Sequence, residues 1–327
     1  MKSRGIINIG NTCYLNSVIQ CLTHLFIFNN ENIEFLSEVS KVDNQLMHEW
    51  LQIQNDLVSK GQAVNPSDFI EEFMNTIKNH NYYFDSFNQN DASEFITILL
   101  ESFHEAIKTR KKMRIEGKPE TNFDKLAINS MKSWISFFKD NYSFVIQTTY
   151  SQLISKISCP KCNYITYNHD PIQIITLPVK ENYTTIYDCL DLFIKENILD
   201  GNNTWKCDQC NHYVNATEQK MLWNASHVLI LQLKLYTNSL FKMNTKLDYP
   251  DILDITNYNI NYNNTNNNYK LYGICCQSGN LNSGHYYSIC YNKYDHQWRR
   301  YNDSDVSHIS LNEALNEIPY CLFYMKQ

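Results

Sequence analysis

Three groups of residues in this chain have types and spacings that suit chemistry. The first is Cys13, in Gly10-Asn11-Thr12-Cys13-Tyr14-Leu15, where a turn signal gives way to helical spacing of Leu15, Val18, Ile19, Leu22 and Leu25. Asn11 or Thr12 is a natural N-cap, which puts Cys13 in the first helical turn. Unpaired backbone N–H groups and the helix dipole favour a thiolate there, and a thiolate attacks carbonyl carbon. The same N–H groups suit a developing oxyanion, and Asn8, five residues upstream, is a candidate second donor. The local sequence fits a buried structural thiol equally well.

A cysteine nucleophile needs a base, and the base needs an orienting group. His285 follows Gly284 at the start of a strand pattern, after a loop of small residues. A hairpin turning around Lys293-Tyr294 would join strands 285–292 and 295–303, pairing residues whose numbers sum to 587. That register sets Asn302 opposite His285, with Cβ atoms about 4.5–5.5 Å apart. A one-residue slip would bring Asp303 or Tyr301 there instead. Asn302 is therefore the expected third member, with Asp303 as its rival.

The third group is Cys159-Pro-Lys-Cys162 and Cys207-Asp-Gln-Cys210. Each pair can grip one ion at a tight turn, and two pairs complete a tetrahedral four-sulfur site suited to Zn²⁺. With all four positions filled, the expected metal is structural. Cys275 and Cys276 are adjacent on a strand pattern and make a poor ligand pair, while Cys21, Cys189, Cys290 and Cys321 fit apolar core positions.

These groups need elements to hold them. The first half is patterned for helices: one after Cys13, one through Leu46, Trp50, Ile53 and Leu57, one after Pro66-Ser67-Asp68, and one over Asp91–Ile107. Residues 108–120, with Lys108, Arg110, Lys111, Lys112 and Arg114, suit a solvated loop. The second half is patterned for strands at 142–156, 166–178, 228–236, 270–276, 285–291, 298–302 and 320–324, interrupted by a helix near 184–197. Helices first and antiparallel strands later predict an α+β architecture. The Asn-rich run 257–268 is expected to be a loop insertion.

Composition narrows the function classes. The chain has 327 residues, 43% hydrophobic, enough to build a large core. A net charge of −6 argues against a general nucleic-acid binder. No long apolar run suggests a membrane span, and the first residues lack the apolar stretch of a signal peptide. The expected setting is intracellular, cytoplasmic or nuclear, with reduced thiols.

Taken together, Gly10-Asn-Thr-Cys-Tyr-Leu-Asn-Ser17, Gly284-His-Tyr286 and Trp298-Arg-Arg-Tyr-Asn-Asp-Ser304 resemble the Cys and His boxes of the ubiquitin-specific proteases. Gln89-Asn-Asp-Ala-Ser-Glu-Phe95 resembles that family's acidic block, and the paired CxxC sites resemble its zinc-bearing fingers. The resemblance covers nearly the whole chain. It implies a papain-like cysteine protease fold: a helical thumb (1–140), fingers with the zinc (150–225) and an antiparallel β palm (226–327). It implies hydrolysis after the C-terminal glycine of ubiquitin, or of a ubiquitin-like modifier, by Cys13, His285 and Asn302, with Asn8 as the oxyanion residue. Asp91 and Glu94 would pair with ubiquitin's basic tail, and Tyr236 and Tyr286 would wall the channel for its Gly-Gly end. Asp91 with Glu94 also fits a helix-capping pair. The chain departs from the family at Asn90, Leu235 and Gln277, the last standing where members often carry His.

Overall fold

A computed structural model describes residues 4–26, 32–59, 61–79, 90–236, 242–243, 245–260, 266–279 and 284–327. The helix Cys13–Phe26 lies at its centre, and residues 12–25 are buried without exception. A helix buried on every side has neighbours on every side, and its polar residues Asn16, Ser17, Gln20, Thr23 and His24 are buried with the rest. It packs against the helix Ala92–Ile107 on one flank and against the strands His285–Asn292 and Asn268–Ser278 on the other. The helices Gln45–Val58 and Ser67–Asn79 complete that flank, with Trp50 packed on Phe69 and Phe103.

The other flank is an eight-stranded sheet. Its path runs Asp305–Ile309, Gln297–Asn302, His285–Asn292, Asn268–Ser278, Pro319–Lys326, Val228–Lys234, Ile174–Pro178, with Ile252–Asp254 paired to Asn268–Ser278 off that path. Every pairing is antiparallel except Val228–Lys234 with Ile174–Pro178, which is parallel. A separate four-stranded sheet runs Ile165–Ile172, Ser151–Ser158, Ala216–Asn224, Asn197–Leu199; its first two strands precede Ile174–Pro178 in the chain, and the other two lie between that strand and Val228–Lys234. The small hairpin Trp205–Lys206 with Tyr213–Val214 falls between Asn197–Leu199 and Ala216–Asn224. The helix Asn122–Phe138, absent from the pattern reading, packs on this sheet through Ala127, against Ile154 and Trp223. Among the described residues, no helix is long and apolar enough to cross a membrane.

Several expectations are corrected. The segment 142–156 is not one strand: Phe144–Thr149 is helical, started by Ser143, whose hydroxyl accepts from Ile146 N, and the strand begins at Ser151. Its β-branched residues suit a strand, but the cap and burial of most of its residues decide otherwise. The strand expected at 166–178 is two, Ile165–Ile172 and Ile174–Pro178, passing from one sheet to the other at Gln173. The helix near 184–197 is Ile186–Ile194, opened by a Thr185–Asp188 capping box. The Asn-rich run is anchored at its start: Tyr258 and Asn259 are buried, and the Tyr258 hydroxyl donates to Asp191 Oδ1 at 2.8 Å. Residues 261–265 of that run, Gln89 of the acidic block and most of the loop before His285 (280–283) lie outside the described residues. The segment 108–120, expected as a loop, is largely exposed but opens with a short strand, Thr109–Arg110, paired with Asn141–Tyr142, and Lys111 lies over the Tyr142 ring at 4.1 Å. Cys21, Cys189, Cys275, Cys276, Cys290 and Cys321 are all buried.

Candidate active site

The approach to Cys13 is a turn that only certain residues can make. Gly10 has φ +119°, in the region open to glycine, and Asn11 follows in the left-handed region at φ +50°. Asn8 ties the turn down: its Oδ1 accepts from Gly10 N at 3.0 Å, Thr12 N at 3.2 Å and Thr12 Oγ1 at 3.2 Å. Thr12 O takes the first helical hydrogen bond, from Asn16 N at 2.9 Å. Cys13 is thus the first helical residue, as its spacing predicted, and it is 4% exposed.

That burial reverses one expectation. Desolvation pushes the Cys13 thiol above its ordinary pKa, and the charge of Asp303 adds to the rise. The amide N–H groups of Tyr286, Tyr14 and Cys13 itself pull the other way without overturning it. Attack by this sulfur therefore calls for a base to take its proton. The Tyr286 amide on the sulfur also brings the start of the His285–Asn292 strand to the head of the Cys13 helix, although the two residues lie far apart in the chain.

The hairpin carrying His285 turns over residues 293–296, with His296 in the left-handed region at φ +55°. Its register pairs Ser288 with Tyr301 and Cys290 with Arg299, a sum of 589 rather than the expected 587. The second strand is Gln297–Asn302, not 295–303. A shift of two preserves side-chain alternation, so Asn302 keeps the face of His285 but sits diagonally across from it. The contact survives: Asn302 Oδ1 lies 2.5 Å from His285 Nε2. An amide oxygen accepts only, so Nε2 carries the proton and Nδ1 is left with its lone pair.

Asp303, the rival, faces elsewhere. It has φ +52°, and its side chain turns to the Cys13 helix and the loop before it: Oδ2 accepts from Asn8 Nδ2 at 2.9 Å, Oδ1 from Asn16 Nδ2 at 2.8 Å. Its backbone carbonyl accepts from Ile6 N at 2.9 Å. Asn16 escaped the sequence reading, although it follows Cys13 by three residues and so lies one turn along nearly the same helix face.

On the opposite wall, Asp91 caps the helix Ala92–Ile107, its Oδ1 accepting from Ser93 N at 2.7 Å and Glu94 N at 3.4 Å. Its Oδ2 accepts from the hydroxyl of Tyr320, which in turn accepts from Gln232 Nε2 at 2.9 Å. Nothing in the local sequence of Asp91 pointed to Tyr320, a partner 229 residues away. Glu94 is exposed. Tyr286 is buried edge-on against Tyr320, with centroids 5.6 Å apart. Tyr236 is half-buried and donates to Gln277 Oε1 at 2.9 Å, so the departing residue Gln277 holds one of the predicted channel tyrosines.

The four-cysteine cluster lies in the four-stranded region. Its two turns are built alike, Cys-x-x-Cys-Asn, with Asn163 at φ +58° and Asn211 at φ +55°. In each, the Asn amide returns to the carbonyl of the first cysteine, at 3.0 Å from Asn163 to Cys159 and 2.8 Å from Asn211 to Cys207. All four sulfurs lie within 4.8 Å of one another, with Cys159 to Cys210 at 3.9 Å and Cys162 to Cys207 at 3.6 Å. A tetrahedral site with metal–sulfur bonds of about 2.3 Å has sulfur–sulfur edges of about 3.8 Å. The donor set therefore fits a soft divalent ion such as Zn²⁺. Burial works against a charged Cys159, but the amides of Cys162 and Lys161 and the nearby thiols bring its pKa down to about 7.

Comparison with known proteins identifies the family. The model of the family described as ubiquitin carboxyl-terminal hydrolase matches residues 4–324. The chain belongs to this family. Among relatives, it is 30% identical to ubiquitin carboxyl-terminal hydrolase Usp2 of Drosophila melanogaster over 98% of this chain and 34% of the fly protein. It is 29% identical to ubiquitin carboxyl-terminal hydrolase 2 of Homo sapiens over 98% of this chain and 54% of the human one. The chain thus spans a third to a half of these ubiquitin carboxyl-terminal hydrolases. Its fold matches the SAGA Ubp8/Sgf11/Sus1/Sgf73 DUB module bound to ubiquitin aldehyde, with TM-score 0.73 and 26% identity over 99% of this chain and 69% of that one. The ubiquitin-specific protease fold expected from the sequence is therefore the fold of this family member.

Proposed function

We propose that this protein is a deubiquitinating thiol protease. It hydrolyses the peptide or isopeptide bond after the C-terminal glycine of ubiquitin through a thioester on Cys13. The observation that carries the reading is the meeting of two distant segments: the Cys13 sulfur under the Tyr286 amide, and His285, one residue earlier, bonded to Asn302. The structural neighbour bound to ubiquitin aldehyde supports ubiquitin as the substrate.

In this reading His285 Nδ1 takes the thiol proton as sulfur attacks the scissile carbonyl. Asn302 holds the ring in the tautomer that frees Nδ1. The carbonyl oxygen becomes an oxyanion facing the first amides of the helix and Asn8. His285 then protonates the leaving amine, and a water deprotonated by His285 releases ubiquitin from the thioester. Asp91 and Glu94 would meet the basic tail, with Tyr236 and Tyr286 along its path; the capping and Tyr320 contacts hold the Asp91 carboxylate in place for this. Cys159, Cys162, Cys207 and Cys210 would hold a structural Zn²⁺, which closes the two turns. Residues 1–140, 150–225 and 226–327 would act as thumb, fingers and palm, with the strand Ile174–Pro178 of the middle segment joining the palm sheet. The test is release of a fluorophore from the ubiquitin C-terminus, run beside the same reporter on ubiquitin-like modifiers. Turnover of ubiquitin is expected. Turnover of a modifier alone would replace the substrate, and no turnover of any would remove the activity.

A further inference from the structure

The Asp303 carboxylate is shared between two amides, one before the nucleophile in the chain and one after it. Asn8 belongs to the turn ahead of Cys13 and Asn16 to the helix behind it, and each donates to a different oxygen, at 2.9 and 2.8 Å. We propose that Asn16 is a positioning residue for the oxyanion donor: by fixing the Asp303 carboxylate it fixes where the Asn8 amide stands relative to the Cys13 sulfur. This inference rests on the thiol-protease reading above.

Three observations support it. First, Asn16 is 3% exposed and its Oδ1 is buried with no hydrogen-bond partner among the described residues. A leucine would fill that space without an unpaired amide oxygen, which is costly to bury. The position therefore uses the N–H donor rather than the volume. Second, the charge of Asp303 acts against the nucleophile, because it opposes ionisation of Cys13. A carboxylate kept beside a thiol that must lose its proton answers to other partners, and its two amides are those partners. Third, the Asp303 backbone is already pinned. Its carbonyl holds Ile6 N, and Gly5 approaches so closely that a Cβ there would stand 2.5 Å from the Asp303 oxygen and 2.4 Å from that of Ser304. What remains free is rotation of the carboxylate. One hydrogen bond leaves it a hinge, whereas two on opposite oxygens set its plane. Asn8 is clamped through its own Oδ1 as well. One of its Nδ2 hydrogens goes to Asp303, leaving the other for the substrate oxygen.

The test compares Asn16→Ala and the better-filling Asn16→Leu with wild type on a ubiquitin C-terminal amide. Both are expected to lower kcat about 10-fold with KM within about 2-fold, as for a weakened oxyanion contact. Affinity for ubiquitin aldehyde, whose adduct carries an oxygen at the oxyanion position, should fall by a similar factor. Alkylation of Cys13 by iodoacetamide makes no oxyanion and should stay within about 2-fold of wild type. In an Asn8→Ala background, Asn16→Ala should add less than about 2-fold, because the pair acts as one unit. Unchanged kcat, equal losses in alkylation and turnover, or a full repeat of the loss without Asn8 would each overturn the inference while leaving the protease reading intact. A wild-type protein with no turnover would overturn both.

Discussion

The candidate active site and the four-cysteine cluster solve the same problem, bringing reactive side chains together, by opposite means. Each cysteine turn is local: five residues, Cys-x-x-Cys-Asn, with a left-handed Asn whose amide returns to the first carbonyl. The candidate active site has no local rule. It takes Cys13 from a buried helix, Asp91 from a helix cap, and His285 and Asn302 from a hairpin, and it depends on the packing of the helix Cys13–Phe26 against the large sheet. A site made of local turns can be read from spacing, whereas a site made by packing is read only in part.

The contrast can be broken by lesions that should stay on their own side. Cys13→Ala should lower ubiquitin-reporter turnover by about 10⁴-fold or more, leaving bound zinc, measured by elemental analysis, near one per chain. Residual turnover near wild type would remove the nucleophile, and loss of zinc would show the two regions to be coupled. Cys207→Ala should do the reverse: zinc falls toward zero, and hydrogen exchange rises first around residues 205–214. Stability should drop by several kcal/mol, since four-sulfur sites contribute folding free energy directly. Full zinc retention would dismiss the cluster as a metal site.

Finer substitutions sharpen the view of the candidate active site. Asn302→Ala should lower kcat/KM by about 10- to 100-fold, because the imidazole loses the acceptor that orients it. Unchanged kcat/KM would mean that Asn302 does not orient His285. Gly5→Ala forces a Cβ onto the carbonyls of Asp303 and Ser304 and should cost about 1–3 kcal/mol in unfolding free energy. Wild-type stability would show that the segment 5–8 can shift. The smallest effect concerns pH. With the thiol pushed up by burial, its neutral form persists to higher pH, so Cys13 alkylation in free enzyme should keep rising past the ordinary thiol range. A plateau at neutral pH would reveal a resting thiolate instead.

The same contrast explains what the sequence disclosed. The helices under Cys13, Trp50, Phe73 and Phe95 were legible because each buries a stripe at helical period. Asn302 was legible through parity rather than register: the hairpin sum differed by two, and an even error leaves every side chain on its face. The helix Phe144–Thr149 was misread because Ile and Val suit a strand wherever both faces are buried. The pairings of Asp91 with Tyr320 and of Asp303 with Asn16 were invisible because no residue pattern near one announces the other.

The place of the strand Pro319–Lys326 has a bearing on how the chain is made. It is inserted between Asn268–Ser278 and Val228–Lys234, so both strands expose open edges until it arrives. During synthesis the cysteine turns can close on a metal ion early, while the large sheet waits for this late segment. A nascent chain on the ribosome would therefore carry an unfinished sheet, prone to pairing with neighbours, until that strand has emerged.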